Sequence, residues 1–373
     1  MITPDAQRSF FATGLGRDTF TVEILVMALT PTPAAATHIS AQALDAIAGQ
    51  LPQLSFDATQ DPAVTAAARE YLRHYNLPQD SKPLQDSQRP AAQNPNPLAK
   101  EQLAPPCIHR WGTLHTGNYT IACHYWHPVA SARGTVFLVH GYFDHVGLYG
   151  HLVRYLLARD YSVVAFDLPG HGLSSGERVS IASFDHYADV FDAVLQQAAT
   201  HLPRPWNAVG QSTGGAIILK YLLEHRDHRS QFTQIALLAP LIHPYRWAWN
   251  KLVYLAAHRF IGRIGRKFVA NSGNRAFLQF LSGQDPLQDR YIPLEWIGAM
   301  KHWTETFRRL PTNPFPVCIV QGDQDTTLDW RYNLKALAHK FPNAKIHIVP
   351  GARHHLANET PALRNQVFAA MGL

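Results

Sequence analysis

The chain has 373 residues, 46% of them hydrophobic and 16% charged, with a formal net charge of +6. That length supports one large core with an appended or inserted segment, and no run of about eighteen apolar residues offers a membrane span. Lysine and arginine are scattered except for one cluster after His258, so no nucleic-acid partner is expected.

Arg8, Arg17, Asp18 and Glu23 interrupt any apolar core that a secretory signal would need, so none is expected. Cys107, Cys123 and Cys318 are odd in number, widely separated and without a Cys-x-x-Cys spacing, which fits a reduced, cytoplasmic protein. Residues 1–105 are alanine-rich and punctuated by proline, and read as a mostly helical or irregular extension ending in a Pro-rich linker. Within it, DPAVTAAAREYLRHYNL predicts a helix, with Asp61 and Pro62 as cap and first-turn pair.

After residue 105 the pattern changes. NYTIACHYW alternates Ile121, Cys123 and Tyr125 towards one face, as a half-buried strand does. GTVFLVH, YSVVAFD, WNAVG, QIALLAP, PVCIVQG and AKIHIVP are short apolar runs suited to parallel strands covered on both faces. Helical periodicity lies between most of them, as in LYGHLVRYLLA and FDHYADVFDAVLQQ, so an α/β fold with a parallel sheet is predicted. The connection from Pro240 to Pro316 is far longer than an ordinary strand-to-helix loop and reads as a cap over a site.

VGQSTGG joins the strand WNAVG to the helical GAIILKYLLEH. Strand, Gly-x-Ser-x-Gly, helix is the context of a nucleophile elbow, in which Gly210 and Gly214 let strand and helix pass closely while Ser212 Oγ stands above the sheet. Such a serine needs an acid and then a base later in the chain. QGDQDTTLD offers Asp323, Asp325 and Asp329, and PGARHHLANE offers His354 and His355, both just beyond strand C-termini where open parallel sheets bind ligands. The backbone N–H of Tyr142 or Phe143, after His140 and Gly141, and that of Thr213 are candidate oxyanion donors. His140 reads as a packing residue under the turn. In DLPGHGLSSGE, Asp167, His171 and Glu177 precede Ser212 or lie among turn glycines, which argues against a catalytic role. His225 and His228 lack the further ligands that a metal site requires.

Together HGYFDHVGLY, DLPGHGLSSGERVSI, GQSTGG, QGDQDTTLD and PGARHHLANE resemble the monoacylglycerol lipase and lysophospholipase branch of the α/β-hydrolases, often described as serine aminopeptidase-like. The resemblance implies a mostly parallel sheet with a helical cap inserted after the sixth strand, residues 241–315 of a hydrolase domain spanning 106–373. It places the acid on Asp325, the base on His354 and the first oxyanion donor on Tyr142, and it implies no cofactor or metal. The usual Glu-His pair after the oxyanion turn is Asp144-His145 here, and residues 1–105 lie outside the resemblance.

In the cap, NKLVYLAAHRFIGRIGRKFV spaces Tyr254, Ala257, Ile261, Ile264 and Phe268 by three and four, predicting a helix with one apolar stripe. Arg259, Arg263, Arg266 and Lys267 fall away from that stripe, giving a basic amphipathic helix able to pack on the core or meet an anionic membrane surface. Phe143, Tyr254, Ile261, Ile264 and Phe268 are the candidate substrate-binding residues. The expected activity is hydrolysis of carboxylic esters, monoacyl lipids foremost, through an acyl-enzyme on Ser212. Amide hydrolysis would need an acidic subsite, for which the cap has Asp285, Asp289 and Glu295; a non-catalytic ligand-binding role is the third reading.

Overall fold

The computed structural model describes residues 39–57, 66–80, 105–224 and 231–373. The apolar runs pair into an eight-stranded sheet of β1 (Cys107–Thr116), β2 (Tyr119–Pro128), β3 (Gly134–Val139), β4 (Tyr161–Phe166), β5 (Trp206–Gln211), β6 (Phe232–Leu238), β9 (Cys318–Gly322) and β10 (Lys345–Val349). Their spatial order is β1-β2-β4-β3-β5-β6-β9-β10, with β2 antiparallel to both neighbours and every other pair parallel. Every position of β3, β4 and β5 is buried, as strands covered on both faces must be. On one face Phe137, Val139, Val164 and Phe166 share a core with α4 (Phe184–Ala198) and α5 (Thr213–Glu224). On the other, Val136, Leu138, Val163 and Ala165 share one with α3 (Gly150–Leu157) and α10 (Pro361–Ala370). Each large side chain so buried contributes about 2 kcal/mol.

The alternation in β2 predicts a single buried face, but all residues from Ile121 to Trp126 are buried. Part of the extension covers the second face. Tyr71, in α2 (Ala66–His74), packs on Trp111 at 4.7 Å between ring centroids, and Trp111, His124 and Trp126 continue the stack. The segment after α1 (Ala41–Gln50) also pairs with β1: Leu54 N donates to Thr113 O at 2.9 Å, and Thr113 N to Pro52 O at 2.7 Å. The described parts of the extension are therefore built into the same unit as the sheet. The predicted start of α2 at Asp61, and the linker from 81 to 104, lie outside the described residues.

The long connection after β6 contains α6 (Trp247–Ala257), β7 (Arg263–Gly265), α7 (Arg275–Gly283), β8 (Tyr291–Pro293) and α8 (Leu294–Arg309). Helix α8 anchors it, burying Trp296, Ala299, Met300, Trp303 and Phe307, with Trp303 Nε1 donating to Leu241 O at 3.1 Å. The continuous basic helix expected over 250–269 is not formed: α6 stops at Ala257, and Ile264 lies in a short strand opposite Ile292. Gly262 and Gly265 each disfavour a helix by about 1 kcal/mol relative to Ala, and β-branched Ile261 and Ile264 prefer extended backbone. Tyr254, Ile261, Ile264 and Phe268 thus form no single stripe. Tyr254 packs towards Gly298, Ile264 is half-buried, and Ile261 and Phe268 are exposed. Among the described residues no helix is long and apolar enough to cross a membrane.

Candidate active site

Ser212 stands between β5 and α5 in the left-handed region, with φ of +53°. A side chain is forbidden at both flanking glycines: a Cβ added to Gly210 would lie 2.6 Å from Gly214 C, and one on Gly214 would lie 2.0 Å from Val139 O. The turn is pinned by Ser212 N donating to Leu238 O at 2.8 Å and by Leu241 N donating to Ser212 O at 3.0 Å. A non-glycine residue keeps such backbone angles only when its surroundings over-determine them.

The last two parallel strands deliver the partners. His354 Nε2 lies 3.0 Å from Ser212 Oγ, and its Nδ1 lies 2.8 Å from Asp325 Oδ2. The carboxylate at Nδ1 favours the tautomer protonated there, leaving Nε2 to accept from the serine hydroxyl. Asp325 also accepts from Thr327 N at 2.8 Å, Leu328 N at 3.0 Å and Gln321 Nε2 at 3.1 Å. Burial alone would raise its pKa; His354 and these donors override it and hold the carboxyl below its ordinary value. For His354, burial pushes down, while the Asp325 charge and hydrogen bond prevail and hold the imidazole above its ordinary value.

The competing candidates have other partners. Asp329 caps Trp330–Lys340, accepting from Tyr332 N at 3.3 Å, and Asp323 accepts from Gly351 N at 2.8 Å. His355 Nε2 lies 3.2 Å from Asp144 Oδ1, and Asp144 Oδ2 accepts from Tyr149 Oη at 2.7 Å and Gly141 N at 3.2 Å. His140 hydrogen-bonds backbone on both ring nitrogens, at Gly141 O and Leu168 N, and burial lowers its pKa. Asp167 accepts from Val146 N and Leu173 N, and His171 contacts Pro169 O, so this motif builds a turn. His225 and His228 lie outside the described residues, and among the described residues no group of three potential ligands could hold a metal ion.

The turn after β3 closes over the serine: a Cβ on Gly141 would lie 3.4 Å from Ser212 Cβ. The N–H groups of Tyr142 and Thr213 have no acceptor among the described residues, leaving both donors available. The cap covers this turn. Trp296 stacks on Tyr142 at 3.7 Å between centroids, and Gln288 Nε2 donates to Phe143 O at 3.0 Å. Arg266 lies 3.7 Å above the Phe143 ring. Of the five candidate substrate residues, Phe143 is the one placed in this turn. Trp296, Gln288 and Gln321 were not singled out from sequence; Gln321 could have been, because it opens QGDQD directly at the strand end. The assembled geometry is suited to acyl transfer: a nucleophile, a base, an orienting carboxylate and two backbone donors.

Residues 130–361 match the family model described as "Serine aminopeptidase, S33". The monoglyceride lipase of Homo sapiens is 28% identical over 268 residues, covering 68% of this chain and 85% of its own. The monoacylglycerol lipase of Mycolicibacterium smegmatis is 35% identical over 254 residues, covering 65% of this chain and 89% of its own. In fold, the chain resembles a soluble variant of Saccharomyces cerevisiae monoglyceride lipase in complex with a substrate analog. The TM-score is 0.61 at 21% identity, with coverage of 69% of this chain and 92% of that one.

Proposed function

Since the chain belongs to the serine aminopeptidase S33 family of α/β-hydrolases, we propose that it cleaves monoacyl lipid esters, monoacylglycerols or lysophospholipids, by a serine mechanism centred on Ser212. The observation carrying this reading is the unbroken chain of hydrogen bonds from Ser212 Oγ through His354 to Asp325. Ser212 Oγ attacks the ester carbonyl as His354 Nε2 takes its proton, and the developing oxyanion accepts from the N–H groups of Tyr142 and Thr213. Collapse breaks the C–O bond, and His354 returns the proton to the departing alcohol. Water, deprotonated by the same imidazole, then releases the fatty acid and regenerates the serine. Asp325 orients the ring and stabilises its cation. Apart from substrate and water, every step uses groups of this chain, and none requires a cofactor.

The cap acids support an ester over an amine-bearing peptide. Asp285 is buried against His145 at 3.0 Å, Asp289 pairs with Arg178 at 3.3 Å, and Glu295 accepts from Ser180 Oγ at 2.5 Å. All three already have partners within the chain. A purely ligand-binding role would not need the complete relay.

The outer face of α6 favours delivery from a lipid surface. Trp249, Leu252 and Leu255 are exposed there, Phe260 beyond the helix is 84% exposed, and Arg259, Arg263 and Lys267 are exposed nearby. This face is the proposed peripheral contact with anionic membrane. Cys107, Cys123 and Cys318 are buried thiols outside any disulfide, which supports a reducing, cytoplasmic setting.

The test is Ser212→Ala in the full chain, assayed with a monoacylglycerol, a lysophospholipid of the same acyl chain and an aminoacyl amide, alongside fluorophosphonate labelling. Wild type should be labelled and hydrolyse a lipid ester in preference to the amide; the variant should do neither while melting normally. Labelling of folded Ser212→Ala protein would overturn the nucleophile assignment.

A further inference from the structure

Three distant parts of the chain converge on one buried carboxylate behind the oxyanion turn. Tyr75, at the end of α2, donates its hydroxyl to Asp285 Oδ1 at 2.8 Å. Asp285 Oδ2 meets His145 Nε2 at 3.0 Å and accepts from Gln288 Nε2 at 2.9 Å. The side chains of His145 and Asp285 are both fully buried. The Gln288 amide also donates to Phe143 O, and Phe143 follows the oxyanion donor Tyr142 with φ of +66°. That is a left-handed backbone state, which phenylalanine holds only where neighbours restrain it.

The extension is itself fixed to the sheet unit at this point. Arg154 Nη1 donates to Asn76 O at 2.6 Å, Trp126 Nε1 donates to Pro78 O at 3.0 Å, and the Tyr75 ring sits edge-on to His145 at 4.8 Å. The Tyr75 hydroxyl is therefore a fixed donor, and Asp285, which brings the cap with it, must come to that donor. Gln288, one turn further along the cap, then reaches the carbonyl of Phe143.

We infer that Tyr75, Asp285 and Gln288 are positioning residues: the N-terminal extension is a strap that sets the cap carboxylate, and through Gln288 the cap holds the oxyanion turn in its working shape. This rests on the reading that Ser212 is the nucleophile and that the Tyr142 N–H donates to the oxyanion its attack creates. A small displacement of such a donor is costly, since a misplacement of about 1 Å can lower a rate a hundredfold.

The test uses Tyr75→Phe, Gln288→Ala and the double variant of the full chain, with kcat and KM for a soluble short-chain p-nitrophenyl ester measured well below each melting temperature. Tyr75→Phe keeps the ring against His145 and removes one donor. Its kcat should fall about fivefold or more with KM within about twofold, the pattern of an interaction lost in the transition state. Because Tyr75 acts through Gln288, the double variant should lose no more than Gln288→Ala alone. Multiplying losses, or a lower melting temperature with unchanged kcat, would reduce Tyr75 to a packing residue and overturn the strap. If Tyr75→Phe does not fold, Gln288→Ala decides alone, and unchanged kcat there overturns the proposal. Ser212 labelling separates the two readings: wild type that labels while these variants keep full kcat refutes only the strap, whereas turnover by Ser212→Ala refutes the underlying reading.

Discussion

Replacing Asp325 by Asn should nearly abolish turnover without unfolding the protein, and the hydrogen bonds say why. Oδ1 of Asp325 accepts two backbone N–H groups, from Thr327 and Leu328, whereas Oδ2 faces His354 Nδ1 and Gln321 Nε2. An Asn side chain must keep its carbonyl oxygen on the two backbone donors, because its NH2 cannot accept from them. The NH2 is then turned towards His354 Nδ1, and His354 can accept from it only by moving its own proton to Nε2. That tautomer points a proton at Ser212 Oγ and cannot serve as base. The same swap in a serine protease triad lowers kcat by about 10⁴, and a similar loss is expected here with KM little changed. The assay is steady-state hydrolysis of a soluble ester with a thermal melt for each variant. Asp329→Asn and Asp323→Asn are the controls. Asp329 caps a helix and Asn accepts the same backbone N–H equally well, so Asp329→Asn should leave both stability and most of kcat unchanged. If either control matched the Asp325→Asn loss, or if that loss were below about tenfold, the assignment of the acid would be wrong.

Asp325 holds His354 above its ordinary pKa, and the base must be neutral, so kcat/KM should fall as pH drops through a midpoint above about 6.5. A pH-rate profile with its acid limb at or below that value would contradict the described coupling. Changing Arg259, Arg263 and Lys267 together to Gln should weaken binding to anionic vesicles by about a hundredfold, each basic residue being worth about 1 kcal/mol at such a surface. Short-chain ester turnover should persist, and equal sedimentation of both proteins at low salt would reject the membrane contact. Arg266→Gln should do the reverse, lowering turnover and leaving vesicle binding unchanged, because its guanidinium lies on Phe143 and donates to Gln288 Oε1 at 2.9 Å; co-sedimentation alongside ester kinetics separates the two effects.

The sheet and the Ser212 elbow were legible in the sequence because both are local. The central strands are short apolar runs, while β10 at the sheet edge has four of its five positions exposed, and each candidate of the relay lies just beyond the C-terminal end of a strand. Choosing among Asp323, Asp325 and Asp329 was harder, since three carboxylates within seven positions share one pattern; the structure separates them by what each accepts. In the cap, periodicity and propensity conflict, and propensity prevails. Spacings of three and four ran straight through Gly262 and Gly265, and the pairing of Ile264 with Ile292 outweighed them. The extension gave no signal at all for its role, because Tyr75 finds its partner 210 positions away. Even the two-sided burial of β2 depends on Tyr71 of that extension, so alternation within the strand could not disclose it.

The break after Ala257 also divides the cap's charges. In one continuous helix Arg266 would share the outer surface with Arg259, Arg263 and Lys267. The β7–β8 pairing instead turns the chain back, with Arg266 N donating to Arg290 O at 2.8 Å, and carries the guanidinium inward onto the Phe143 ring. Burial lowers its pKa to about 10, which still leaves a cation at neutral pH, now half-buried beside Phe143. One basic run therefore supplies two surfaces. Three charges stay in water, where salt screens them over a Debye length of about 8 Å. The fourth is shielded by Phe143 and Phe268 and is much less sensitive to salt. Three basic side chains turned to solvent and a fourth seated on Phe143 are arrangements that one straight amphipathic helix could not provide together, because its four charges would all lie opposite its apolar stripe.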